Sequence, residues 1–311
     1  MKLSVVVPAF NEVDNIVATV SELLSTAKSV SEVSDIEVIV VDDHSSDDTF
    51  NAVRKMNDLR VSCIRLSRRS GSHIAIRAGL RASKADATLF MSADGQENLS
   101  CVEMMLSKHR NGAKIIWALR KDRKDEPWHI RKTARIFYKL LHWLDRDNLY
   151  ECDLFRADFC LLGREAVDAI NSCNEKNTSL FGLISWLGFG QDFVEYQRGH
   201  RRSGRSKWNF ERRFNLAIDW ITAFSSLPLR LISIIGIIVA TCGFLYAIFI
   251  IYNTFAGSPP EGWTSTMVVI LVLGGVQMVM MGVIGEYLWR NIEESRSRPL
   301  YFIEKHALAQ K

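Results

Sequence analysis

Two long apolar segments near the carboxyl end constrain what this 311-residue chain can fold into. The first covers roughly residues 229–255 and the second roughly residues 267–289. Each exceeds the ~20 residues that an α-helix needs to cross a bilayer. Because backbone groups in hydrocarbon must pair within their own segment, we expect two transmembrane helices that form a hairpin. The alternative, two buried core helices of a large soluble domain, is disfavoured by the length of both segments.

The distribution of basic residues predicts the orientation of this hairpin. The connector 253–266 has no Lys or Arg, whereas basic residues are abundant on the other side of each segment. The positive-inside rule therefore places both termini and the region before the hairpin in the cytoplasm, and the protein in the inner (plasma) membrane. The basic residues before the first segment are Arg198, Arg201, Arg202, Arg205, Lys207, Arg212, Arg213 and Arg230.

The net charge of +4 is concentrated in that basic stretch, which suits anionic headgroups or a phosphorylated lipid. A nucleic-acid partner is disfavoured because no recognition motif accompanies the charge. The six Cys residues include no Cys-x-x-Cys pair and no zinc-like spacing with His, so we expect free thiols in a reducing compartment. The amino-terminal apolar run turns polar at Asn11, which is too early for a signal peptide.

The first half of the chain alternates short β-branched runs with segments of helical apolar spacing. This alternation predicts an α/β domain whose mostly parallel sheet is covered by helices on both faces. Ser46 or Asp47 is expected to cap the second helix. The predicted strands are 3–7, 37–41, 61–66, 87–91 and 115–119, and the predicted helices are 15–24, 47–56, 73–82 and 101–109.

Acidic residues follow three of the predicted strands. Glu12 comes after the first, Asp42 and Asp43 after the second, and Asp94 and Glu97 after the fourth. Ligands of parallel sheets bind at the carboxyl ends of strands. Carboxylates gathered there would repel one another, which suggests a bound cation or hydrogen-bond donors such as a base N–H and ribose hydroxyls. The alternative for residues 42–48 is simple helix capping.

An ordered set of motifs resembles the family 2 glycosyltransferases, in particular the branch that uses polyprenyl phosphates. That branch includes dolichol-phosphate mannose synthase and the bactoprenol glucosyltransferases. The resemblance implies a GT-A-like fold and covers essentially the whole chain. The motifs are Val-Val-Pro-Ala-Phe-Asn-Glu at 6–12, Val-Asp-Asp-x-Ser-x-Asp-x-Thr at 41–49, Ala-Gly-Leu at 78–80, Ala-Asp-x-Gln at 93–96, Arg-Lys-Thr-Ala-Arg-Ile-Phe-Tyr-Lys-Leu at 131–140, Arg-x-x-Gly-x-Ser-Lys-Trp at 201–208 and Gly-Glu-Tyr-Leu-Trp-Arg at 285–290.

The resemblance implies a role for each matching position. Asp43 would accept a hydrogen bond from the base, and Asp94 with Gln96 would hold Mg²⁺ or Mn²⁺ against the diphosphate. Arg201 and Lys207 would bind phosphates from a loop. The nucleotide-sugar pocket would comprise Pro8, Phe10, Glu12, Val41, Asp43, Ala93 and Arg120, and the catalytic residues would be Asp94, Asp158, Arg201 and Lys207. Asp158 would orient acceptor or sugar, with an ordinary turn carboxylate as the alternative.

The chain departs from the family pattern at several of these positions. Ser92 replaces the first Asp of the usual Asp-x-Asp, and His44 replaces a Gly. Cys160 replaces the Arg of Asp-Phe-Arg, residues 95–98 read Gly-Gln-Glu-Asn instead of Leu-Gln-Asp-Pro, and Arg-Ser-Gly at 69–71 replaces Asn-x-Gly. These changes bear on the metal site and on the identity of the sugar.

The function that the resemblance implies is inverting transfer of one sugar from a nucleotide-diphosphate sugar, such as a UDP-hexose, to undecaprenyl or another polyprenyl phosphate. The transfer would take place at the cytoplasmic membrane face, for cell-envelope glycan synthesis or modification, by a homo-oligomer. One alternative is a processive polysaccharide synthase, although the chain lacks that class's Gln-x-x-Arg-Trp motif and has too few spans for a polymer channel. Another is a non-catalytic membrane scaffold of the same fold.

The expected domain organisation follows. Residues 1–208 form the cytosolic glycosyltransferase domain, and 209–228 form a juxtamembrane interfacial helix. Residues 229–290 form the two-span hairpin, and 291–311 form a cytosolic basic tail. Residues 130–143 are a further interfacial helix, or an ordinary amphipathic surface helix.

Overall fold

A computed structural model of the chain describes residues 1–29, 33–97, 100–121, 156–176, 178–197, 227–255 and 262–308. The chain divides into two compact units. One comprises Met1–Arg213 together with Pro299–Lys311, and the other comprises Phe214–Arg298. The predicted interfacial helix 130–143 and nearly all of the predicted helix 209–228 lie outside the described residues.

The first unit alternates strands and helices as the sequence predicts, and the second contains two long helices. Their bounds are β1 Lys2–Ala9, α1 Val13–Ser29, β2 Asp35–Asp42, α2 Thr49–Lys55, β3 Val61–Leu66, α3 Ser72–Ala82, β4 Ala87–Phe90, α4 Cys101–Arg110, β5 Ile115–Arg120, β6 Ala157–Gly163, α5 Arg164–Ser172, α6 Leu180–Trp186, β7 Gln191–Tyr196, α7 Leu227–Phe255, α8 Trp263–Ser295 and β8 Ile303–Leu308.

The described strands form one mixed sheet of eight, in the order β7-β5-β6-β4-β1-β2-β3-β8. Four of the seven pairings are parallel, namely β1–β2, β1–β4, β2–β3 and β5–β7. β6 runs antiparallel between β4 and β5, and β8 runs antiparallel to β3 at one edge. The predicted α/β class is confirmed, whereas β6, β7 and β8 were not predicted from the sequence.

The central strands are apolar along nearly their whole length because both faces of the sheet are covered. Val5, Val6 and Val7 of β1 are buried, as are residues 38–41 of β2. Helix α3 packs so closely on β1 that a Cβ at Gly79 would lie 2.2 Å from Cγ1 of Val6. Glycine at the centre of the Ala-Gly-Leu motif therefore allows this helix to lie against the strand.

The predicted cap of α2 is wrong. The helix begins at Thr49, with Asp48 in the N-cap position and without a side-chain capping bond. The Asp47 carboxylate instead accepts hydrogen bonds from the backbone N–H of Thr49 at 3.1 Å and of Val13 at 3.3 Å. Asp47 thus ties the start of α2 to the start of α1, which is a tertiary role that local capping rules do not include.

Within the described residues of the second unit, α7 and α8 are both long and apolar enough to cross a membrane. Their apolar side chains are exposed, among them Phe244, Ile248 and Met278. Core helices of a soluble domain would bury such side chains, so this exposure argues against that alternative. The segment predicted as a basic tail is more ordered than expected, since α8 continues to Ser295 and residues 303–308 form β8.

Candidate active site

The ends of several strands meet along one edge of the sheet. β1 ends at Ala9, which lies opposite Asp42 at the end of β2, and β4 ends nearby on the other side of β1. Because β6 runs in the opposite direction, its first residues, including Asp158, lie at this same edge. Neighbouring strands are ~4.8 Å apart, so the segments after β2 and β4 are separated by about 10 Å. The segments that the sequence singled out are therefore neighbours.

The loops after β1 and β2 are joined by hydrogen bonds. The backbone N–H of Asn11 donates to Oγ of Ser45 at 2.9 Å, and the N–H of Ser46 donates to Oδ1 of Asn11 at 2.9 Å. The N–H of Glu12 donates to Oγ1 of Thr49 at 3.0 Å. Asn11 adopts a φ of 52°, a left-handed conformation that Asn tolerates better than most residues. These bonds hold the predicted pocket residues of the first loop beside the second loop.

Asp43 lies between these loops and the loop after β3. Its carboxylate is almost fully buried and accepts the N–H groups of Ser70 at 2.6 Å and Gly71 at 2.8 Å. Burial raises the pKa of Asp43, while the two amides and the nearby Arg69 oppose that rise. The guanidinium of Arg69 also stacks on the ring of Phe10, 3.9 Å from its centroid. Each carboxylate oxygen has a second lone pair, so Asp43 retains the capacity to accept a further donor.

The remaining predicted pocket residues form the floor of this edge. Pro8 lies opposite Val41 in the sheet register, and the side chain of Val41 is fully buried. Ala93 is also buried, and its carbonyl accepts the hydroxyl of Thr19 at 3.0 Å. Val41 and Ala93 therefore shape the edge through their backbone rather than through exposed side chains.

A compact cluster follows β4. The hydroxyl of Ser92 lies 2.6 Å from Oδ1 of Asp94 and 2.8 Å from Oε2 of Glu97, and the N–H of Ser92 donates to Oε1 of Glu97 at 3.1 Å. The single hydroxyl proton of Ser92 can be donated fully to only one of the two carboxylates, and a proton on one carboxylate or a nearby cation would relieve the repulsion between them. Burial raises the pKa of Glu97 to about 7, and the negative charges of Asp94 and Asp158 add to this rise.

Asp158 lies at the start of β6, where it contacts residues at the ends of β5 and β7. Oδ2 of Asp158 is 2.8 Å from Nε of Arg120, and the phenol of Tyr196 donates to the same carboxylate. Nε of Arg120 is buried, and no acceptor within the described residues meets its N–H at hydrogen-bonding geometry. The Arg120–Asp158 contact is therefore an ion pair.

The donor chemistry around Asp94 fits a hard divalent cation. Within the described ranges, no three His, Cys, Asp or Glu side chains converge as a complete metal cage. Mg²⁺ is usually held by only one or two carboxylates, with substrate phosphates and waters completing its octahedron. Asp94 is a single carboxylate next to the hydroxyl of Ser92, and the N–H of Gln96 donates to it at 3.2 Å. The site thus suits a cation that arrives with a diphosphate.

The structure also places residues at this edge to which the sequence assigned no role. They are Arg65, Tyr196 and Glu304. For Tyr196 a weak signal existed, because residues 193–196 include Phe, Val and Tyr, which are residue types enriched in strands. Arg65 and Glu304 are 239 residues apart, so local patterns could not connect them. The predicted phosphate ligands Arg201 and Lys207 lie outside the described residues.

Comparison with known proteins decides the family. Residues 4–169 match the model of glycosyl transferase family 2, which is more than half of the chain. The chain belongs to this family. Residues 227–290 of this family 2 glycosyltransferase match a second model, the GtrB C-terminal hairpin, which covers α7 and α8.

Relatives of this glycosyltransferase match over nearly its full length. An SfII prophage-derived bactoprenol glucosyl transferase of Shigella flexneri is 36% identical over 310 residues, which cover 98% of each chain. A prophage bactoprenol glucosyl transferase homolog of Escherichia coli K12 is 34% identical, covering 98% of this chain and 99% of that one. An uncharacterized glycosyltransferase of Synechocystis is 35% identical, covering 97% and 95%.

A solved structure supports the fold. The crystal structure of mannosyl-3-phosphoglycerate synthase from Rubrobacter xylanophilus matches with a TM-score of 0.51 at 15% identity, covering 70% of this chain and 71% of that one. The family 2 glycosyltransferase described here therefore has the GT-A-like fold that the motifs imply.

Proposed function

We propose that this glycosyltransferase transfers a single sugar, with inversion, from a nucleotide-diphosphate sugar to a polyprenyl phosphate in the membrane. The donor is a UDP-hexose and the acceptor is undecaprenyl phosphate. Support comes from relatives named bactoprenol glucosyl transferases that match across 98% of the chain, and from the two apolar helices. The observation that carries the proposal is the juxtaposition of the Asp43 loops and the Asp94 cluster at one edge of the sheet.

The donor would bind across this edge. Asp43 would accept from the base, with Phe10 and Glu12 at the wall of the pocket, and the diphosphate would reach toward Asp94. Asp94, with Gln96 beside it, would hold Mg²⁺ or Mn²⁺, which supplies positive charge against the developing charge of the leaving diphosphate. Arg120, at the end of β5, would meet a phosphate oxygen of the donor or the acceptor through its guanidinium.

The acceptor does not require a strong general base. A phosphate monoester has a second pKa of about 6, so the nucleophilic oxygen is already anionic at neutral pH. Asp158 is held by Arg120 and Tyr196 and therefore serves better to orient the acceptor or the sugar than to remove a proton. Arg201 and Lys207 remain the proposed phosphate ligands of the basic segment before α7.

The proposed setting is the cytoplasmic face of the plasma membrane. Helices α7 and α8 would cross the bilayer as a hairpin, with both termini and the site on the cytoplasmic side. We also propose that the protein forms a homo-oligomer and acts in the synthesis or modification of cell-envelope glycans. The catalytic domain would comprise residues 1–208 together with the returning strand β8.

The test combines a donor screen with one informative substitution. Purified protein is incubated with undecaprenyl phosphate and a panel of nucleotide sugars, and the lipid is analysed by mass spectrometry. Asp94→Asn should lower turnover at least ~100-fold, the scale of losing one charge-stabilising group. Ser92→Ala should have a much smaller effect because it removes no charge. Asp168→Asn, at an exposed carboxylate of α5 paired with Arg164, is the matched control.

Two outcomes would contradict the proposal. If no nucleotide sugar gives a glycosylated lipid, the substrate assignment is wrong. If Asp94→Asn keeps near-normal turnover while the control is equally active, the assignment of the site is wrong.

A further inference from the structure

The chain segment after the second apolar helix returns to the sheet as strand β8. It pairs antiparallel with β3, so that Lys305 lies opposite Arg65 and Ile303 opposite Leu66, with an irregularity in register between these two pairs. The N–H of Ser67 donates to the carbonyl of Phe302 at 2.9 Å, which continues the contact beyond the strand. Because β8 is antiparallel, it begins at the same edge at which β1, β2 and β4 end. The start of β8 therefore lies beside the proposed nucleotide site.

The side chain of Arg65 links β8 to the loop after β2. Its Nε donates to Oε2 of Glu304 at 3.1 Å, its Nη1 to Oδ2 of Asp42 at 2.8 Å, and its Nη2 to the carbonyl of Ser45 at 3.0 Å. Asp42 is fully buried and Arg65 is mostly buried, so the contacts with Asp42 and Ser45 are shielded from solvent, whereas Glu304 is exposed. A planar guanidinium has a fixed fork of donors, and three acceptors from two segments determine its orientation.

The turn that Arg65 holds contains Asp43. Oδ1 of Asp42 accepts the N–H of Ser45 at 2.9 Å, so the two residues that Arg65 contacts also close the turn around Asp43. Oγ of Ser45 in turn accepts the N–H of Asn11 in the loop after β1. A shift of the Arg65 guanidinium would therefore displace both the loop after β1 and the loop after β2, which form the proposed pocket.

His44 gives this turn a second contact with β8. The residue adopts a φ of 59°, a left-handed conformation that is costly for most side chains. Nδ1 of His44 lies 3.2 Å from the carbonyl of Leu66 and 3.5 Å from Oε2 of Glu304. Glu304 thus faces both Arg65 and His44, and it comes from a segment that follows the apolar helices in the chain.

We propose that Glu304 is a positioning residue of the nucleotide site, which acts through Arg65 to fix the turn 42–45 and with it the carboxylate of Asp43. The inference rests on the proposed function, because it assigns to this turn the binding of the donor nucleotide. Loss of the Glu304 carboxylate removes one of three anchors of the guanidinium and one contact of His44. The turn then samples other conformations, and the nucleotide must select the competent one, which weakens its apparent affinity.

The test uses the full-length protein in detergent or nanodiscs, with UDP as the probe in isothermal titration calorimetry. Glu304→Gln should weaken UDP binding about tenfold and raise the KM for the donor by a similar factor. The KM for undecaprenyl phosphate and the kcat at saturating donor should stay within about twofold of wild type. Arg65→Lys should weaken UDP binding at least as much, since an ammonium cannot reproduce the planar fork.

A matched control and a fold check accompany these measurements. Glu165 on α5 pairs with Lys114 at 2.7 Å, and the control variant Glu165→Gln removes this carboxylate charge. This variant should leave the affinity for UDP unchanged. Thermal unfolding of each variant shows whether the domain remains folded, and Glu304→Asp, which retains the charge, should recover part of the affinity.

The possible outcomes separate this inference from the proposed function. If wild-type protein does not bind UDP, the assignment of a uridine donor is wrong. If wild type binds UDP and Glu304→Gln binds it equally well, Glu304 does not position the site. A variant that lowers kcat and raises both KM values together would show a general structural role and would equally overturn the inference.

Discussion

Substitution of Gly79 by Ala tests the closest contact between a helix and the sheet. The added Cβ would lie 2.2 Å from Cγ1, 3.0 Å from Cγ2 and 3.2 Å from Cβ of Val6. Carbon atoms in contact are ordinarily ~3.5–4.0 Å apart. Rotation of the Val6 side chain cannot relieve all three overlaps, because its own Cβ is one of the atoms too close. Helix α3 must therefore move away from β1 or the strand must bend.

The expected cost follows from overpacking in a close-packed interior. Inserting a methyl group into such a core costs typically ~1–3 kcal/mol. Alanine has a higher helix propensity than glycine by about 1 kcal/mol, which offsets part of that cost. Because three distances are short, the overpacking cost of Gly79→Ala lies toward the upper end of this range. After subtraction of the gain in helix propensity, we expect a net destabilisation of about 2 kcal/mol. For a domain of this size, that lowers the melting temperature by about 4–8 °C.

The assay is thermal unfolding of the purified protein followed by circular dichroism. Gly190→Ala is the control, because no atom lies within 4 Å of a Cβ placed there, and it should change stability by less than about 0.5 kcal/mol. A second variant, Val6→Ala, removes two buried methyl groups and alone should cost about 2 kcal/mol. In the double variant the added methyl fills part of the space that Val6 vacates.

The double variant supplies the decisive comparison. It should be more stable than the sum of the two single effects predicts, by about 1 kcal/mol or more. Purely additive effects, or a Gly79→Ala protein that melts at the wild-type temperature, would refute the close approach of α3 and β1 as the reason for glycine at this position.

Two further predictions concern the second unit and a half-buried histidine at the start of α3. A tag at Ser258 should be accessible from outside the cell and a tag at Lys311 only from inside, so detection of both on one side of the membrane would rule out the hairpin. Burial lowers the pKa of His73 to about 4 from its ordinary 6.5. The unfolded chain therefore binds more protons between pH 6.5 and 4, and stability should fall as the pH is lowered through this window, by up to about 3 kcal/mol. His73→Phe should flatten this pH dependence of stability in melting curves recorded from pH 7 to 4.5. If the melting temperature of the variant falls with pH as steeply as that of wild type, His73 is not the group responsible.

Local sequence patterns were sufficient for much of the fold. β-branched runs such as residues 38–41 predicted strands because side chains buried on both faces of a parallel sheet must be apolar. The two long apolar segments predicted the helices α7 and α8 because length and hydropathy are properties of a contiguous segment. The acidic residues after the strands were expected to share one edge, since parallel strands end on the same side of a sheet.

Partners that are distant in the chain were decided only by the tertiary structure. The sequence predicted no strand at 303–308, because a short edge strand with charged residues has little apolar periodicity of its own. β6 and β7 were missed for a related reason, since their pairing with β5 and not their composition identifies them most clearly.

The site shows the same division between local and tertiary information. The amino-acid sequence by itself determined which residue types follow which strands, and hence that Asp43 and Asp94 are candidates. Asp158 became a candidate only through the family resemblance. Only the folded chain decided that Glu97 shares the hydroxyl of Ser92 with Asp94, and that Glu304 reaches Arg65. The physical reason is that hydrogen bonds and ion pairs depend on distances of a few ångströms in space. Those distances are set by the packing of whole strands and are independent of separation along the chain.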